Sequence, residues 1–304
     1  MIAATEFGIN TDGSVFHLHL HPEDVADIAF LVGDQDRVDM FKDFFSEIEL
    51  EKRSREFHTL TGIYKGCRMT ALSTGIGTDN IDIALTELDG LANIDFHTRE
   101  PRSEHRSLTL IRIGTSGAIQ PEIPVGAYVF SHYAIGLDNV LNYYAGRDKV
   151  CDAAMEKAFL EQVRWDRHLH DPYFVKADEE IARAFAPWTI KGMTLSSSGF
   201  YGPQGREVRT GLAMPHMLED FENFRYDTPD GEQWKITNFE MESSVLFGLS
   251  RILGHRAGTV CSCIGNRYHK ATNMDYHALI HELVERSLDT ALLIHSSGVR
   301  HPRV

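Results

Sequence analysis

The chain has 304 residues, of which 42% are hydrophobic and 24% charged, and this ordinary globular composition is enough to bury a large core. Acidic residues outnumber basic ones by 44 to 30, so the formal charge of −14 argues against nucleic acid or an anionic membrane as a partner. The first residues lack the pattern of a signal peptide, and no uncharged run approaches the roughly 20 apolar residues of a membrane helix. We therefore expect a soluble, cytoplasmic protein whose four cysteines are buried free thiols.

The N-terminal stretch "FHLHLHPED" places His17, His19 and His21 at every second position. On an extended segment the three imidazoles would point to one face. Because alternating histidines on a first strand are found in metal-dependent hydrolases, this stretch raises the hypothesis of a metal site. Such a site needs further histidine and carboxylate ligands at later strand ends, where this chain carries Gly, Thr, Arg and Asn instead.

The remainder of the chain alternates apolar strands with amphipathic helices. Strands are predicted at 27–34, at 57–75 (two strands joined at Lys65 and Gly66), and at 108–117, 125–137, 189–199 and 257–265. Helices are predicted at 36–45 (with Asp34 or Asp36 as N-cap), 78–92, 180–186, 239–255 and 276–297. This alternation indicates one α/β domain over residues 1–304, with helices on both faces of the sheet and an exposed charged excursion at 93–107.

Several predicted strands end in glycine and hydroxyl residues. These ends are Gly33, the segment 73–75 and the segment 114–117. Ligands bind at the carboxyl ends of strands in open α/β sheets, and glycine there lets backbone N–H groups approach an anion. Arg37 and Arg112 lie close to these ends and suit a bidentate grip on phosphate. Neither a Walker A motif nor a GxGxxG fingerprint is present, so we expect free phosphate or a small phosphoester.

A set of segments in a fixed order resembles one family. These segments are "LVGDQDRV", "REFHTLTG", "STGIGT", "IRIGTSGAIQPEIPVG", "SSSGFYGPQGRE" and "FEMESSVLFGLSRILGHRAG". Together they are similar to the purine/uridine nucleoside phosphorylase superfamily from about Phe16 to Asn266. The Phe-Tyr-x-x-Gln-x-Arg element and "FHLHL" resemble its uridine phosphorylases in particular.

The resemblance implies a role for individual residues. For phosphate it implies Gly33, Arg37, Arg112 and Thr115, with Arg55 reaching the phosphate of a neighbouring subunit. For ribose it implies Met241 and Glu242, with Glu240 beside them and His17 binding the 5′-hydroxyl in the neighbouring subunit. For the base it implies Phe200, Gln204 and Arg206. Arg37, Arg112, Glu242 and Arg206 are the residues expected to act in catalysis.

The resemblance also implies the fold and the reaction. The fold is a three-layer αβα sandwich around a mixed central β-sheet, and the protein is a homo-oligomer with active sites shared between subunits. The reaction is phosphorolysis of uridine to uracil and ribose 1-phosphate, with phosphate as co-substrate and no cofactor. The family can place a monovalent cation between subunits, for which Glu56 and Asn80 are the candidate ligands in this chain.

Chemistry separates pyrimidine from purine substrates. A purine leaves only when an acid protonates its N7, whereas a uracil anion needs donors for its two carbonyl oxygens. Purine-cleaving relatives place an Asp where this chain has Asn266, and an amide cannot supply a proton. We therefore favour a pyrimidine nucleoside. The alternatives are a purine nucleoside phosphorylase or nucleosidase, a metal-dependent amidohydrolase using the histidine stretch, and a non-catalytic nucleoside-binding protein.

Overall fold

A computed structural model describes residues 1–273 and 275–298. The predicted domain of 1–304 also includes residues 274 and 299–304, which lie outside the described residues. The strands are β1 (Ile28–Val32), β2 (Glu47–Ser54), β3 (Phe57–Tyr64), β4 (Cys67–Ser73), β5 (Ile94–Asp95), β6 (Glu100–Pro101), β7 (Thr109–Ala118), β8 (Tyr128–Gly136), β9 (Tyr173–Lys176), β10 (Ile190–Ser196), β11 (Arg225–Asp227), β12 (Gln233–Lys235), β13 (Asn238–Glu240), β14 (Arg256–Asn266) and β15 (Ala271–Thr272).

The α-helices are α1 (Gln35–Asp39), α2 (Thr78–Asn93), α3 (Arg147–Val150), α4 (Ala153–Gln162), α5 (Glu179–Phe185), α6 (Met217–Asn223), α7 (Ser243–Leu253) and α8 (His277–Gly298). Short 3₁₀ helices cover Pro22–Asp24, Met40–Asp43, Val140–Tyr143, Ala186–Trp188 and Gly202–Gln204. Among the described residues, every helix is too short or too polar to cross a membrane.

The central sheet is mixed and contains eleven strands. Strand β1 pairs in parallel with both β4 and β7, while β3 and β2 extend the sheet antiparallel beyond β4. Strands β7, β14, β8, β10 and β13 pair in turn, and β13 pairs back to β7, so this part of the sheet closes on itself. The prediction of an α/β fold with helices around a mixed central sheet is confirmed. The closure could not be read from the strand pattern.

Burial explains why these segments form these elements. All five residues of β1 are buried, as is typical of a central parallel strand covered on both faces. Helix α1 begins at the predicted N-cap, because the Asp34 carboxylate accepts from the N–H of Asp36 at 2.9 Å. The short α1 brings Arg37 back over the carboxyl end of β1, and this turn forms one side of the cavity described below.

The N-terminal stretch is not a strand, so the prediction of three imidazoles on one face is wrong. The N–H of Val15 donates to the carbonyl of Leu20, and His19 has the positive φ of 54°. Leu18 and Leu20 are buried in the core, and this burial pulls the chain into a tight turn. The three histidines therefore lie in or directly after this turn and not on one face of a strand.

The boundary of the helix predicted at 239–255 is also corrected. Residues 238–240 pair with β10 and β7 as β13, and α7 begins only at Ser243. Glu240 therefore lies on a strand, and Glu242 is the N-cap residue of the helix. The excursion at 93–107 contains the β5–β6 hairpin, where the Arg99 guanidinium donates to the carbonyl of Ile2 at 2.8 Å and anchors the N-terminal segment.

Candidate active site

One cavity of about 1260 Å³ opens at the carboxyl ends of the central strands. All the residues predicted to bind substrate line it, except two that were predicted to act on a neighbouring subunit. The lining residues from that prediction are Gly33, Arg37, Arg112, Thr115, Phe200, Gln204, Arg206, Glu240, Met241 and Glu242. The two that lie elsewhere are His17 and Arg55.

A buried ion pair forms the centre of the cavity. The Arg112 guanidinium donates to Glu242 and lies 3.3 Å from an oxygen of Glu240. Burial opposes the charge of Arg112, but the carboxylates of Glu242 and Glu240 outweigh it and hold the Arg112 pKa above its ordinary value. A Cβ at Gly114 would overlap Nη1 of Arg112, so glycine two residues further along β7 leaves room for the arginine side chain to fold along the strand.

Arg37 lines the cavity close to the buried pair and has no carboxylate partner within the part of the chain that the structure describes. Its one hydrogen bond there goes from Nη1 to the carbonyl of Ile113, at 3.3 Å. Burial and the nearby charge of Arg112 both lower the Arg37 pKa. Gly33 and Thr115 lie on the same cavity wall. An anion bound between Arg37 and Arg112 would relieve this unfavourable charge, so this end of the cavity suits phosphate.

The two glutamates of the Glu-Met-Glu segment have different surroundings. Glu240 accepts from the N–H groups of Glu242 at 2.9 Å and Ser243 at 3.0 Å, and from the hydroxyl of Ser196. Its carboxylate is thus engaged in holding the first turn of α7. Glu242 accepts from the N–H of Gly77 at 2.7 Å besides its bond with Arg112, and it faces the cavity. Glu242 is therefore the better placed of the two to contact a sugar.

A second group of residues that line the cavity places an amide beside two guanidinium groups. Arg206 donates to Oε1 of Gln204 and to the carbonyl of Phe200 at 2.6 Å, and its guanidinium lies 3.9 Å from the centroid of the Phe200 ring. Arg267 donates to the carbonyl of Gln204 at 2.9 Å. Burial and the charge of Arg267 lower the Arg206 pKa to about 10. The sequence analysis gave Arg267 no role. Its place next to Asn266, at the carboxyl end of a predicted strand, could have indicated that it lines the cavity.

Asn266 lines the cavity, but its side chain is committed to the backbone. Its Nδ2 donates to the carbonyls of Gln120 at 2.9 Å and Ile123 at 2.7 Å, and its Oδ1 accepts from the N–H of His269 at 3.0 Å. The amide thus serves as a structural bridge at the end of β14. It has neither the chemistry of an acid nor free donors directed at a base.

Phe16, His17 and Arg55 form one surface that we call the outer patch. The Arg55 guanidinium lies 5.6 Å from the centroid of the Phe16 ring, which is 46% exposed. His17 Nδ1 contacts Oε1 of Glu87 at 2.6 Å, which leaves Nε2 as the second hydrogen-bonding atom of the imidazole. The two residues predicted to reach a neighbouring subunit therefore lie close together, and neither lines the cavity of its own chain.

Neither group of clustered metal-ligating side chains within the described residues includes the N-terminal histidines. The first group is Asp89, His105 and His255. His255 accepts the N–H of Leu108 at its Nδ1, so its Nε2 carries the proton that it donates to Asp89 at 3.0 Å. Its two ring nitrogens are both occupied, and His105 uses Nε2 to donate to the carbonyl of Leu253 at 2.9 Å. The hydrogen bonds of this group connect α2 to the residue that precedes β14, so its role is structural.

The second group is Asp39, Glu51 and His58. Lys42 Nζ lies 2.8 Å from Asp39 and 2.9 Å from Glu51, and Arg53 lies 2.9 Å from Asp39. Because cations already neutralise both carboxylates, this group also has the character of a structural network. The hypothesis of a metal centre built on the N-terminal histidines therefore finds no matching ligands among residues 1–273 and 275–298.

The cavity lies at the carboxyl ends of the strands of an α/β sheet. It places a guanidinium without a carboxylate partner among the described residues beside a buried carboxylate–guanidinium pair. This arrangement is typical of an enzyme that acts on an anion and a polar small molecule. Residues 27–294 match the phosphorylase superfamily. The chain belongs to this superfamily.

Relatives and solved structures agree with this assignment. The chain is 30% identical over 257 residues to the uridine phosphorylase of Thermococcus kodakarensis, covering 84% of this chain and 79% of that protein. It is 29% identical to the uridine phosphorylase of Escherichia coli, covering 83% and 86%. A crystal structure of a Trypanosoma brucei nucleoside phosphorylase, described as showing uridine phosphorylase activity, superposes with a TM-score of 0.86 at 27% identity, covering 96% of this chain and 99% of that one.

Proposed function

We propose that this chain catalyses the phosphorolysis of uridine to uracil and ribose 1-phosphate. The observation that carries the proposal is that a single cavity is lined by Arg37 without a carboxylate partner among the described residues, by the Arg112–Glu242 pair, and by Gln204 bonded to Arg206. These groups offer one cation for phosphate, a carboxylate for ribose and an amide with a guanidinium for the base. The similarity to uridine phosphorylases over most of the chain supports the same reaction.

The reaction breaks the bond between C1′ and N1 and forms a bond from C1′ to a phosphate oxygen. Arg37 and Arg112 hold the phosphate in line, which is a contribution of positioning and electrostatics. Positive charge develops on the sugar as in glycoside hydrolysis, and the negative charge of Glu242 stabilises it while holding the ribose hydroxyls. The electron pair of the broken bond goes to the base, which then takes a proton from solvent.

The base end suits a pyrimidine. The Gln204 oxygen that accepts from Arg206 has a second lone pair, with which it can accept the N3–H of uracil. Arg206 and Arg267 supply positive charge for the carbonyl oxygens of the departing anion. Asn266 stands where a purine would need an acid, and its amide is engaged by the backbone. These contacts favour uracil over a purine base.

The enzyme acts as a cytoplasmic homo-oligomer under this proposal. The outer patch would bring Arg55 and His17 to the phosphate and ribose of a neighbouring subunit. No cofactor is required, because phosphate is the second substrate. A monovalent cation between subunits is part of this proposal, with Glu56 and Asn80, which both lie beside Gly75, as its candidate ligands.

A nucleoside panel tests the proposal. The purified protein should release base from uridine in a phosphate-dependent manner, and more efficiently than from inosine or guanosine. Release without phosphate would indicate a nucleosidase, and a preference for inosine or guanosine would indicate a purine enzyme. Turnover that persists in a chelator would remove the metal-dependent hydrolase from consideration.

The N-terminal histidines offer a matched pair of variants. His17→Ala should raise the KM for uridine about 10-fold, the effect of one lost hydrogen bond to substrate. His19→Ala should change KM less than about 2-fold, because the His19 side chain is exposed and lies in a turn. Steady-state kinetics of both variants check this, and equal losses would contradict a specific role for His17.

A further inference from the structure

A buried carboxylate behind the cavity has no part in the reaction just described. Asp138 follows β8, is 6% exposed, and accepts from the Ser244 hydroxyl at 2.7 Å, the Tyr173 hydroxyl at 2.8 Å and the N–H of Val140 at 2.8 Å. No cation pairs with it within the described part of the chain. Burial raises the Asp138 pKa, and these hydrogen bonds oppose the rise. A buried carboxylate without a cation is costly, so its donors must be well placed.

The tyrosine partner of Asp138 is itself tightly held. Tyr173 is fully buried on β9, and its ring lies against the backbone of Gly136, where a Cβ would overlap the ring. Its hydroxyl lies 2.8 Å from each of the two carboxylate oxygens of Asp138. The carboxylate therefore has a fixed position relative to the strands β8 and β9, which form a rigid support.

The serine partner connects Asp138 to the cavity. Ser244 is the second residue of α7, two positions after Glu242. Its N–H donates to the Ser196 hydroxyl at 3.0 Å, and that hydroxyl donates to Glu240, which in turn accepts from the N–H of Glu242 at 2.9 Å. The first turn of α7 is thus held from two sides, by Glu240 and Ser196 on one and by Asp138 on the other.

We propose that Asp138 is a positioning residue for Glu242, acting through the hydroxyl of Ser244 on the first turn of α7. This inference rests on the proposed function, since it assigns Glu242 to the ribose. A carboxylate that stabilises developing charge must keep its place to well within an ångström, and a misplacement of about 1 Å can cost about 100-fold in rate. Asp138 fixes the helix start from which Glu242 projects.

Two variants weaken this link from its two ends. Asp138→Asn keeps the shape and one acceptor, and Ser244→Ala removes only the hydroxyl. Each should lower kcat for uridine about 10-fold or more while the KM for phosphate changes less than about 2-fold, because Glu242 acts mainly in the transition state. The double variant should lose no more than the more affected single variant, since both changes break one chain of contacts.

Asp89→Asn is the matched control. Asp89 is also a carboxylate engaged by hydrogen bonds, with the side chains of His255 and Asn93, but it lies at the far end of α2 from the cavity. This variant should lower the melting temperature and leave kcat unchanged. A merely structural Asp138 would behave in the same way, so kcat of Asp138→Asn and Ser244→Ala separates the two roles.

The outcomes are distinct. Unchanged kcat in folded Asp138→Asn or Ser244→Ala, measured beside an active wild type, would overturn the inference and leave the proposed function intact. If Asp138→Asn does not fold, Ser244→Ala alone decides. A wild type that turns over none of the nucleosides in the panel contradicts the proposed function, and the inference about Asp138 with it.

Discussion

Arg37→Ala should lower kcat/KM for phosphate about 1000-fold, the scale expected when an enzyme loses a cation that holds a transferring or attacking oxyanion. The fold should tolerate the change, because Arg37 makes one long hydrogen bond of 3.3 Å and pairs with no carboxylate of the described residues. Burial and the charge of Arg112 lower its pKa, so its surroundings in the folded chain do not favour its positive charge. The melting temperature of the variant should therefore equal or exceed that of the wild type.

A binding measurement makes this expectation independent of turnover. A ligand that binds the folded state raises the melting temperature, so phosphate should stabilise the wild type and fail to stabilise Arg37→Ala. Arg37→Lys is the control for charge alone, because a lysine keeps the cation and loses the bidentate grip. It should retain part of the stabilisation by phosphate and part of the activity. A fully active Arg37→Ala would show that the anion binds elsewhere.

The meeting of Gly33 and Thr115 at one cavity was predictable from the sequence for a physical reason. Glycine and hydroxyl residues at the ends of apolar strands mark the carboxyl edge of a parallel sheet, and the position of Gly33 and Thr115 follows from that local pattern. The assignment of sugar and base residues came from the resemblance to a family. The sequence could not show that Arg112 is paired while Arg37 is not, since Glu242 meets Arg112 only through the fold.

The predictions of a strand at the N-terminal histidines and of a helix over 239–255 were wrong for one reason, which is that tertiary packing overrides the local pattern. The alternation of histidines favours a strand, but burial of Leu18 and Leu20 turns the chain instead. The apolar run at 239–255 reads as one helix, although pairing of residues 238–240 with β10 and β7 makes the first residues a strand. The link from Asp138 to α7 could not be read from the sequence, since its two side-chain partners, Tyr173 and Ser244, lie 35 and 106 residues away.

Glu242→Gln should lower kcat/KM for uridine about 1000-fold, because it removes the negative charge that faces the sugar where positive charge develops. It also leaves Arg112 with Glu240 as its remaining carboxylate neighbour among the described residues, at 3.3 Å. Breaking a buried pair from one side is destabilising, so the melting temperature should fall. Phosphate should still raise the melting temperature, by at least as much as in the wild type, because the charge of Arg112 is less neutralised.

Glu240→Gln is the matched control for Glu242→Gln, because it makes the same change at the other glutamate of the Glu-Met-Glu segment. Glu240 accepts from the N–H groups of Glu242 and Ser243, and an amide can offer only one oxygen to them. The main effect should be a lower melting temperature, with a loss of activity of about 10-fold from the displaced helix start. Kinetics and melting curves of the two variants, each with and without phosphate, distinguish a direct role of Glu242 in the reaction from a structural role of Glu240 at the start of α7. Equal losses of activity in the two variants, at a temperature where both are folded, would contradict the assignment of the ribose to Glu242. If phosphate no longer raised the melting temperature of Glu242→Gln, the phosphate and ribose subsites would not be separate.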